Sequence, residues 1–440
     1  MKSPRVTTGK ASEKSGFAGQ ITAATPAAVH AQSTRIQLHC AVPKPVINSL
    51  TELPANACAL VTHDLHPYGA QRLMAALVTT LAEEHQAPME LISFGGGSLA
   101  VNIRRLLPIH MTGVVWKAQS RNVELLVETL YRRGYRRAIL NTVIAGIAAP
   151  MFARRGFTVL SLVHEMPTLI SAEGLTDRLR AIHEHSDAVV YPHASARDAI
   201  TAAIPQLPAA RRVHCIGQGL VRRNPHRNDK AAVRSALRAE LGIAADCPIM
   251  LGVGSGNERK GLDLFLAAAT RINATGPNAC FIWIGPPDPE LVAQWDRQKP
   301  QLAWLSNMVR MPGFVEETAR FHAAADLFFL SSREDPFPFV ALESLDAGVP
   351  IIAFRGSGGG ADLAENVSGA VVTPGDDQAL DAMLLGWLGD APRLAAASAA
   401  AARFADDECS FSRYVQRLLD IFDDVEAQRP PGTAPLASAA

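Results

Sequence analysis

The chain has 440 residues, enough for two domains with separate cores, and its 48% hydrophobic and 19% charged residues are those of an ordinary globular protein. Lys plus Arg and Asp plus Glu each total 42, so the formal net charge is zero and no overall field recruits nucleic acid. The six cysteines, at positions 40, 58, 215, 247, 280 and 409, lack C-x-x-C or Cys/His ligand spacing, which excludes a zinc module and a disulfide framework and fits a reducing, cytoplasmic setting.

In chain order, residues 1–50 are rich in Ser, Thr, Ala and Gly without a continuous apolar stretch, and are expected to be irregular. No window approaches the roughly 20 apolar residues of a membrane-spanning helix. From Ala57 short apolar runs at 59–61, 89–94, 138–140, 159–163 and 188–191 alternate with helical patterns, which predicts a parallel βαβ sheet over residues 51–222. Several runs end in polar or Gly-rich turns: Thr62-His63-Asp64, Gly95-Gly96-Gly97 and His164-Glu165. Those carboxyl ends are where open α/β sheets place ligands.

The polar stretch 221–230, with Pro225 at its centre, reads as the interdomain linker. A second alternating series follows over residues 223–410, with apolar runs at 249–253, 281–284, 309–311, 327–330 and 351–354. Two doubly wound α/β sheets in tandem are predicted. Phe411, Tyr414, Val415, Leu418, Leu419 and Phe422 then form one apolar stripe, predicting an amphipathic helix over 411–427 before a Pro/Ala-rich tail at 428–440.

Two segments carry candidate chemistry. In 333–349, Asp335 is placed to cap a helix, Pro336 suits its first turn and Gly348 its stop. Asp335 and Glu343 would then lie roughly 12 Å apart along that helix. Carboxylates accept hydrogen bonds from vicinal hydroxyls, so one acid can hold a sugar and the other a ribose, with a diphosphate at the helix start between them. Read alone, the acids are equally well solvated caps. The second segment, 249–269, is a strand, a Gly-rich turn with Gly254, and Lys260-Gly261 opening a helix. Lys260 is placed to stabilise charge on a departing phosphate. A dinucleotide fingerprint would instead have an acid at the end of the next strand, where this chain has Gly285-Pro286.

The run Ser332 to Glu343, S-R-E-D-P-F-P-F-V-A-L-E, resembles the E-x7-E signature of glycosyltransferase family 4. That resemblance implies the GT-B fold, two Rossmann-like domains facing across a cleft, with the last helix crossing back onto the first. It implies retention of configuration, Asp335 on the donor sugar and Glu343 on the nucleotide ribose. It also implies donor contacts from the amides of Phe337 and Phe339 beside Pro338, and from the main chain of Gly313, Phe314 and Val315 facing the base. The first-domain loop H-D-L-x-x-x-G-A-Q, containing His63 and Gly69, resembles the family's loop that approaches donor and acceptor, and His164 is the better catalytic candidate of the two histidines.

This chain departs from the family at Ser255, where an Arg usually stands. Arg259, next to Lys260, is the candidate substitute. The expected partners are a nucleotide-sugar donor and a saccharide, lipid-linked or other hydroxyl acceptor, with no nucleic acid and no cofactor. Because no D-x-D pair occurs, no metal is expected. Arg pairs such as Arg104-Arg105 and Arg132-Arg133 are read as solvated helix faces, with peripheral contact at the inner face of a membrane as the minority reading. A GT-B epimerase or hydrolase, and a non-catalytic nucleotide-sugar-binding protein, remain as alternatives.

Overall fold

The structure is a computed structural model that describes residues 53–113, 121–275, 279–298 and 308–429. The segment 1–50 and the tail beyond 429 lie outside them. Two all-parallel sheets organise the chain. The first has seven strands: β1 (Cys58–Thr62), β2 (Met89–Ser93), β3 (Ile109–Met111), β4 (Arg137–Asn141), β5 (Thr158–Leu162), β6 (Ala188–Tyr191) and β7 (Val213–Cys215), in the order β3-β2-β1-β4-β5-β6-β7. The second has six: β8 (Ile249–Val253), β9 (Cys280–Ile284), β10 (Val309–Gly313), β11 (Leu327–Leu330), β12 (Ile351–Phe354) and β13 (Gly369–Val372), ordered β10-β9-β8-β11-β12-β13.

Helices cover both faces, so central strands are buried throughout rather than at alternate positions. Every residue of β1, β2, β4, β5 and β6 is buried. The sequence reading finds these five runs, and it misses β3, β7 and β13. All three are edge strands with one hydrogen-bonded neighbour, and their residues are mostly half-exposed or exposed. β3 and β7 are three residues long with a central histidine each, too short and polar for an apolar run, and β13 has an apolar sequence but is only partly buried.

In each sheet the strand order reverses once, between β1 and β4 and between β8 and β11. Loops that leave neighbouring strands in opposite directions open a crevice there. The His63 and Thr142 turns follow β1 and β4, while the Lys260 and Asp335 loops follow β8 and β11.

The chain passes between the sheets twice, and the passages touch. Leu220 forms a parallel bridge with Ser410, and its amide donates to the Cys409 carbonyl at 2.8 Å. Gly219 is required at this crossing, since a Cβ there would lie 2.4 Å from the Phe411 Cα. The polar stretch 221–230 is tied down by one carboxylate. Asp346, fully enclosed, accepts from the Asn224 amide at 2.5 Å and from Arg223 at 2.8 Å, with Arg227 at 3.4 Å.

After the second passage, the helix Phe411–Ala427 packs on the first sheet's domain. Phe411, Tyr414, Val415, Leu418, Phe422 and Val425 join one apolar cluster with Leu60, Leu73, Leu77 and Leu160. Arg137, on β4 and 5% exposed, reaches Asp423 at 2.5 Å and Glu426 at 2.6 Å, with its guanidinium 5.2 Å from the centre of the Phe422 ring. Among the described residues no helix is long and apolar enough to cross a membrane. Because Phe422 is fully buried in that cluster, Phe422→Ala is expected to destabilise the fold by about 3–5 kcal/mol, read as a lower denaturant midpoint for the first domain.

Candidate active site

Three loops converge at the reversal point of the second sheet. The Gly-rich loop after β8 and the loop after β11 touch backbone to backbone: Arg333 N donates to Arg259 O at 2.9 Å, and Ser331 Oγ to Lys260 O at 3.2 Å. Gly261 permits this, with φ +73° and a would-be Cβ only 2.0 Å from Ser331 O. A third loop, after β12, closes on the second. Asp335 N donates to Ser357 O at 2.7 Å, and Gly358, at φ +121°, would put a Cβ 1.9 Å from Asp335 O.

The result is a buried ion pair. Asp335 is 5% exposed, and its Oδ2 is held by the Lys260 ammonium. Lys260 is itself fixed from behind, its amide donating to Asn257 Oδ1 at 3.0 Å. Asp335 is therefore not a helix cap, as its position in the sequence led us to expect. The helix runs from Phe339 to Asp346 with Pro338 at its N-cap. Pro336 and Pro338 bring no N–H for a carboxylate to cap, and the Asp335 carboxylate is already taken by Lys260. The separation of roughly 12 Å, which assumed both acids on one helix, does not apply.

Glu343 lies on the second turn of that helix, 39% of its side chain exposed. Thr318 Oγ1 donates to its Oε2 at 3.4 Å, and His322 Nε2 stands 3.3 Å from the same oxygen. Partial burial pushes the carboxyl up. His322, the Thr318 hydroxyl and the charge of Arg72 from the first domain outweigh that and hold it below the usual carboxylate range.

The first sheet's reversal point carries a hydrogen-bonded polar cluster whose proton positions follow from one another. Asn141 Nδ2 donates to Ala70 O at 2.9 Å, so Asn141 Oδ1 is the acceptor for His164 Nε2–H at 2.9 Å. His164 Nδ1 must then accept from Gln218 Nε2 at 3.0 Å. Both ring nitrogens are spent on ties between β4, the start of helix Gly69–Glu83 and the segment leading to the crossing. In this arrangement His164 is a spacer, and a role toward ligand requires one of these bonds to open. Enclosure and the charge of His63 press its pKa down to about 4.

The same logic applies to His63. Gln71 Nε2 donates to Asp64 Oδ1 at 2.6 Å and faces His63 Nε2 at 2.9 Å, so that nitrogen accepts and Nδ1–H donates to Thr142 Oγ1 at 3.0 Å. Thr142, 1% exposed, adopts φ +84° and ψ 156°, a region that β-branched residues avoid and glycine favours. Its amide donates to Leu162 O at 2.9 Å, and the next amide, Val143 N, donates to the Glu165 carboxylate at 2.9 Å. Burial raises Glu165 to about 7 against these amide bonds.

Contacts bridge the two sheets' domains beside the Asp335 loop. Thr168 Oγ1 donates to Glu334 Oε1 at 2.7 Å, and Asp362 Oδ2 accepts from Ser195 Oγ at 2.6 Å and lies 2.7 Å from His193 Nδ1. The His193 ring stacks on Phe337, 6.5 Å between centres at 13°. Phe337 is 8% exposed, and its ring also packs against Gly217 and Gly359. The Phe337 side chain is thus an interdomain contact, leaving its amide as the part available to a donor.

Comparisons with known proteins bear on the fold and the family of this arrangement. Residues 233–404 match the family model for glycosyl transferases group 1. The D-inositol 3-phosphate glycosyltransferase of Thermobispora bispora is 30% identical over 224 residues, 48% of this chain and 50% of that protein. The lipopolysaccharide core biosynthesis glycosyltransferase LpsE of Rhizobium meliloti is 30% identical over 139 residues, 32% of this chain and 39% of that protein. The chain thus spans about half or less of the length of these two curated relatives. Crystal structures of Anabaena HepE superpose over nearly their whole length: the complex with UDP gives a TM-score of 0.71 at 19% identity, covering 84% of this chain and 100% of that one. The fold is GT-B.

Within the GT-B framework the candidate residues divide into two groups. Lys260 and Asp335 are in contact, Arg259 borders them through a 2.8 Å bond from its guanidinium to Glu334 O, and Gly254 packs on the Lys260 side chain, a Cβ there lying 3.4 Å from Lys260 Cδ. Phe339 contacts the cores of both domains, and Pro338 is buried at the helix start. The other group is more open to solvent. Ser255 is exposed and accepts from Asn257 Nδ2 at 3.3 Å. Gly313 has φ +79° with open space around a would-be Cβ, Phe314 is 71% exposed, and Val315 is half-buried. Gly69 likewise faces open space.

Sequence reading passed over His322, Glu334, Gln218 and Asp362. Only spatial proximity singles them out, though a histidine inside the apolar run F-H-A-A-A is a signal that could have been weighed for His322.

Two outcomes are expected. Both Gly313 and Gly358 have positive φ, but only Gly358 would clash. Gly313→Ala should therefore cost about 1 kcal/mol, and Gly358→Ala clearly more, in denaturant unfolding. For His164, the folded value of about 4 lies below its ordinary 6.5. Its contribution to stability is present above pH 6.5 and is lost as pH falls toward 4. Wild type should lose more stability than His164→Gln between pH 7.5 and pH 4.5.

Proposed function

We propose that the protein transfers a sugar from a nucleoside-diphosphate sugar to an acceptor hydroxyl, with retention of anomeric configuration. The observation that carries this reading is the juxtaposition, at one sheet-reversal point, of a cation, the buried carboxylate it holds and two helix starts. Lys260, Asp335 and Glu343 all fall inside the segment that matches glycosyl transferases group 1. The family resemblance assigns Asp335 to the sugar and Glu343 to the ribose, and the complexes of HepE with UDP and with UDP-glucose support a donor of that class.

Lys260 is the cation nearest to hand for the diphosphate. In the free protein it is engaged by Asp335, so donor entry exchanges partners: the ammonium turns to the phosphate, and the Asp335 carboxylate becomes free to accept sugar hydroxyls. The helix starts at Phe339 and Gly359 add a dipole that favours an anion, although the amides of Ala341, Gly359, Ala361 and Asp362 are already bonded to the carbonyls of Pro338, Pro336 and Gly358. As the bond from the anomeric carbon to the phosphate oxygen breaks and the bond to the acceptor oxygen forms, negative charge develops on the leaving diphosphate, which takes up the proton that the acceptor hydroxyl loses. A preorganised ammonium stabilises that charge. With cation and helix starts supplying this role, we propose that turnover needs no metal. Relatives named for lipopolysaccharide core assembly favour a saccharide or lipid-linked acceptor.

A panel of nucleoside-diphosphate sugars, each with and without mono- and oligosaccharide acceptors, tests the reading. Nucleotide released only with an acceptor supports transfer. Release or isomerisation without one supports a hydrolase or epimerase, and binding without turnover supports a binding protein. In the productive pairing, Lys260→Ala is expected to lower kcat about 100-fold or more, Glu343→Gln to raise the donor KM with less effect on kcat, and a chelator to leave the rate unchanged.

A further inference from the structure

Glu343 does not stand alone behind the cleft. His322, on the helix Ala319–Ala324, is fully buried, its Nδ1 2.9 Å from Ser344 Oγ and its Nε2 3.3 Å from Glu343 Oε2. The Ser344 hydroxyl proton is committed to the Val340 carbonyl at 3.0 Å, one helical turn back. Serine has a single O–H, so toward the ring it can only accept, and His322 Nδ1 carries a proton. Nε2 is buried and has no aligned hydrogen-bond partner among the described residues; the group it meets is Glu343. Left bare, its lone pair would oppose the carboxylate, whereas a proton on Nε2 turns the contact into an ion pair.

Only one of the two Glu343 oxygens is engaged from behind. Oε2 accepts from Thr318 Oγ1 at 3.4 Å and lies 3.3 Å from His322 Nε2. Across the cleft, the charge of Arg72 acts on the same carboxylate.

We infer that His322 is a positioning residue for Glu343: its Nε2–H, together with the Thr318 hydroxyl, anchors Oε2 and presents Oε1 to the vicinal hydroxyls of a nucleotide's ribose. Groups that orient a ligand-binding side chain from behind fix its geometry without touching the ligand. This rests on the reading that Glu343 receives ribose.

The test is calorimetric binding of UDP, ADP and GDP, followed by the 2′,3′-dideoxy form of whichever diphosphate binds most tightly. Wild type is expected to prefer the ribose form by about tenfold or more, as for one or two charge-assisted hydrogen bonds. His322→Phe, which keeps the ring volume and deletes Nε2–H, should lose most of that preference while binding the dideoxy form as wild type does. His322→Gln, which restores an N–H, should recover part of it. The double variant His322→Phe/Glu343→Gln should be no worse than Glu343→Gln alone. If Glu343→Gln abolishes the preference and His322→Phe retains it, the inference is overturned and the assignment of Glu343 stands. If Glu343→Gln retains the preference, the assignment of Glu343 itself fails. Should His322→Phe not fold by thermal melting, Ser344→Ala, which unhooks the ring from its anchor, is read in the same assay; a full ribose preference there would equally overturn the inference.

Discussion

A carboxylate almost entirely out of water needs a cation in contact, because an unpaired buried charge is far more costly than the pair. Asp335 has one in Lys260, and the candidate site is organised around satisfying that demand. The two side chains come from loops that follow different strands, so their meeting requires backbone contact closer than any side chain allows. Gly261 and Gly358 provide it on either side of the loop. The pair is partly accessible through the lysine, whose side chain is 16% exposed, and a polyanion arriving there competes for the ammonium.

The helix Phe339–Asp346 carries two more acids that act in different directions. Glu343 faces the cleft and is backed by His322, while Asp346 grips the segment 221–230 through Arg223, Asn224 and Arg227. A ligand that repositions the start of this helix therefore pulls on the polypeptide joining the two domains. The contacts of Thr168 with Glu334 and of Ser195 and His193 with Asp362 lie on the same side. Glu343 and Asp346 thus tie the candidate site and the interdomain segment to one helix.

Much of this was legible in the sequence. Central strands announce themselves as apolar runs because both faces are buried, and the pattern around Glu343 marks a strand, a turn and a helix. The start of the helix was not legible to the residue: Asp335 has the chemistry of a cap, and only the lysine 75 positions earlier in the chain shows why it is not one. The side-chain role of Phe337 was equally hidden, since an aromatic beside a predicted ligand loop reads as a ligand contact until His193 is found stacked upon it. His164 was visible as a cleft-side histidine, but its tautomer depends on Asn141 and Gln218, residues far away in sequence. Local pattern gave the elements and their order, whereas partners chosen across long sequence separations decided which side chains remain available.

The helix Phe411–Ala427 supplies a wall of the first domain's core from the far end of the chain. Domains usually fold one after another as a polypeptide emerges from the ribosome, the N-terminal one first. Here the first domain, although made early, keeps an apolar face uncovered until the second has been synthesised. The nascent chain therefore carries a complete seven-stranded sheet with one apolar face uncovered for the time needed to translate some two hundred further residues.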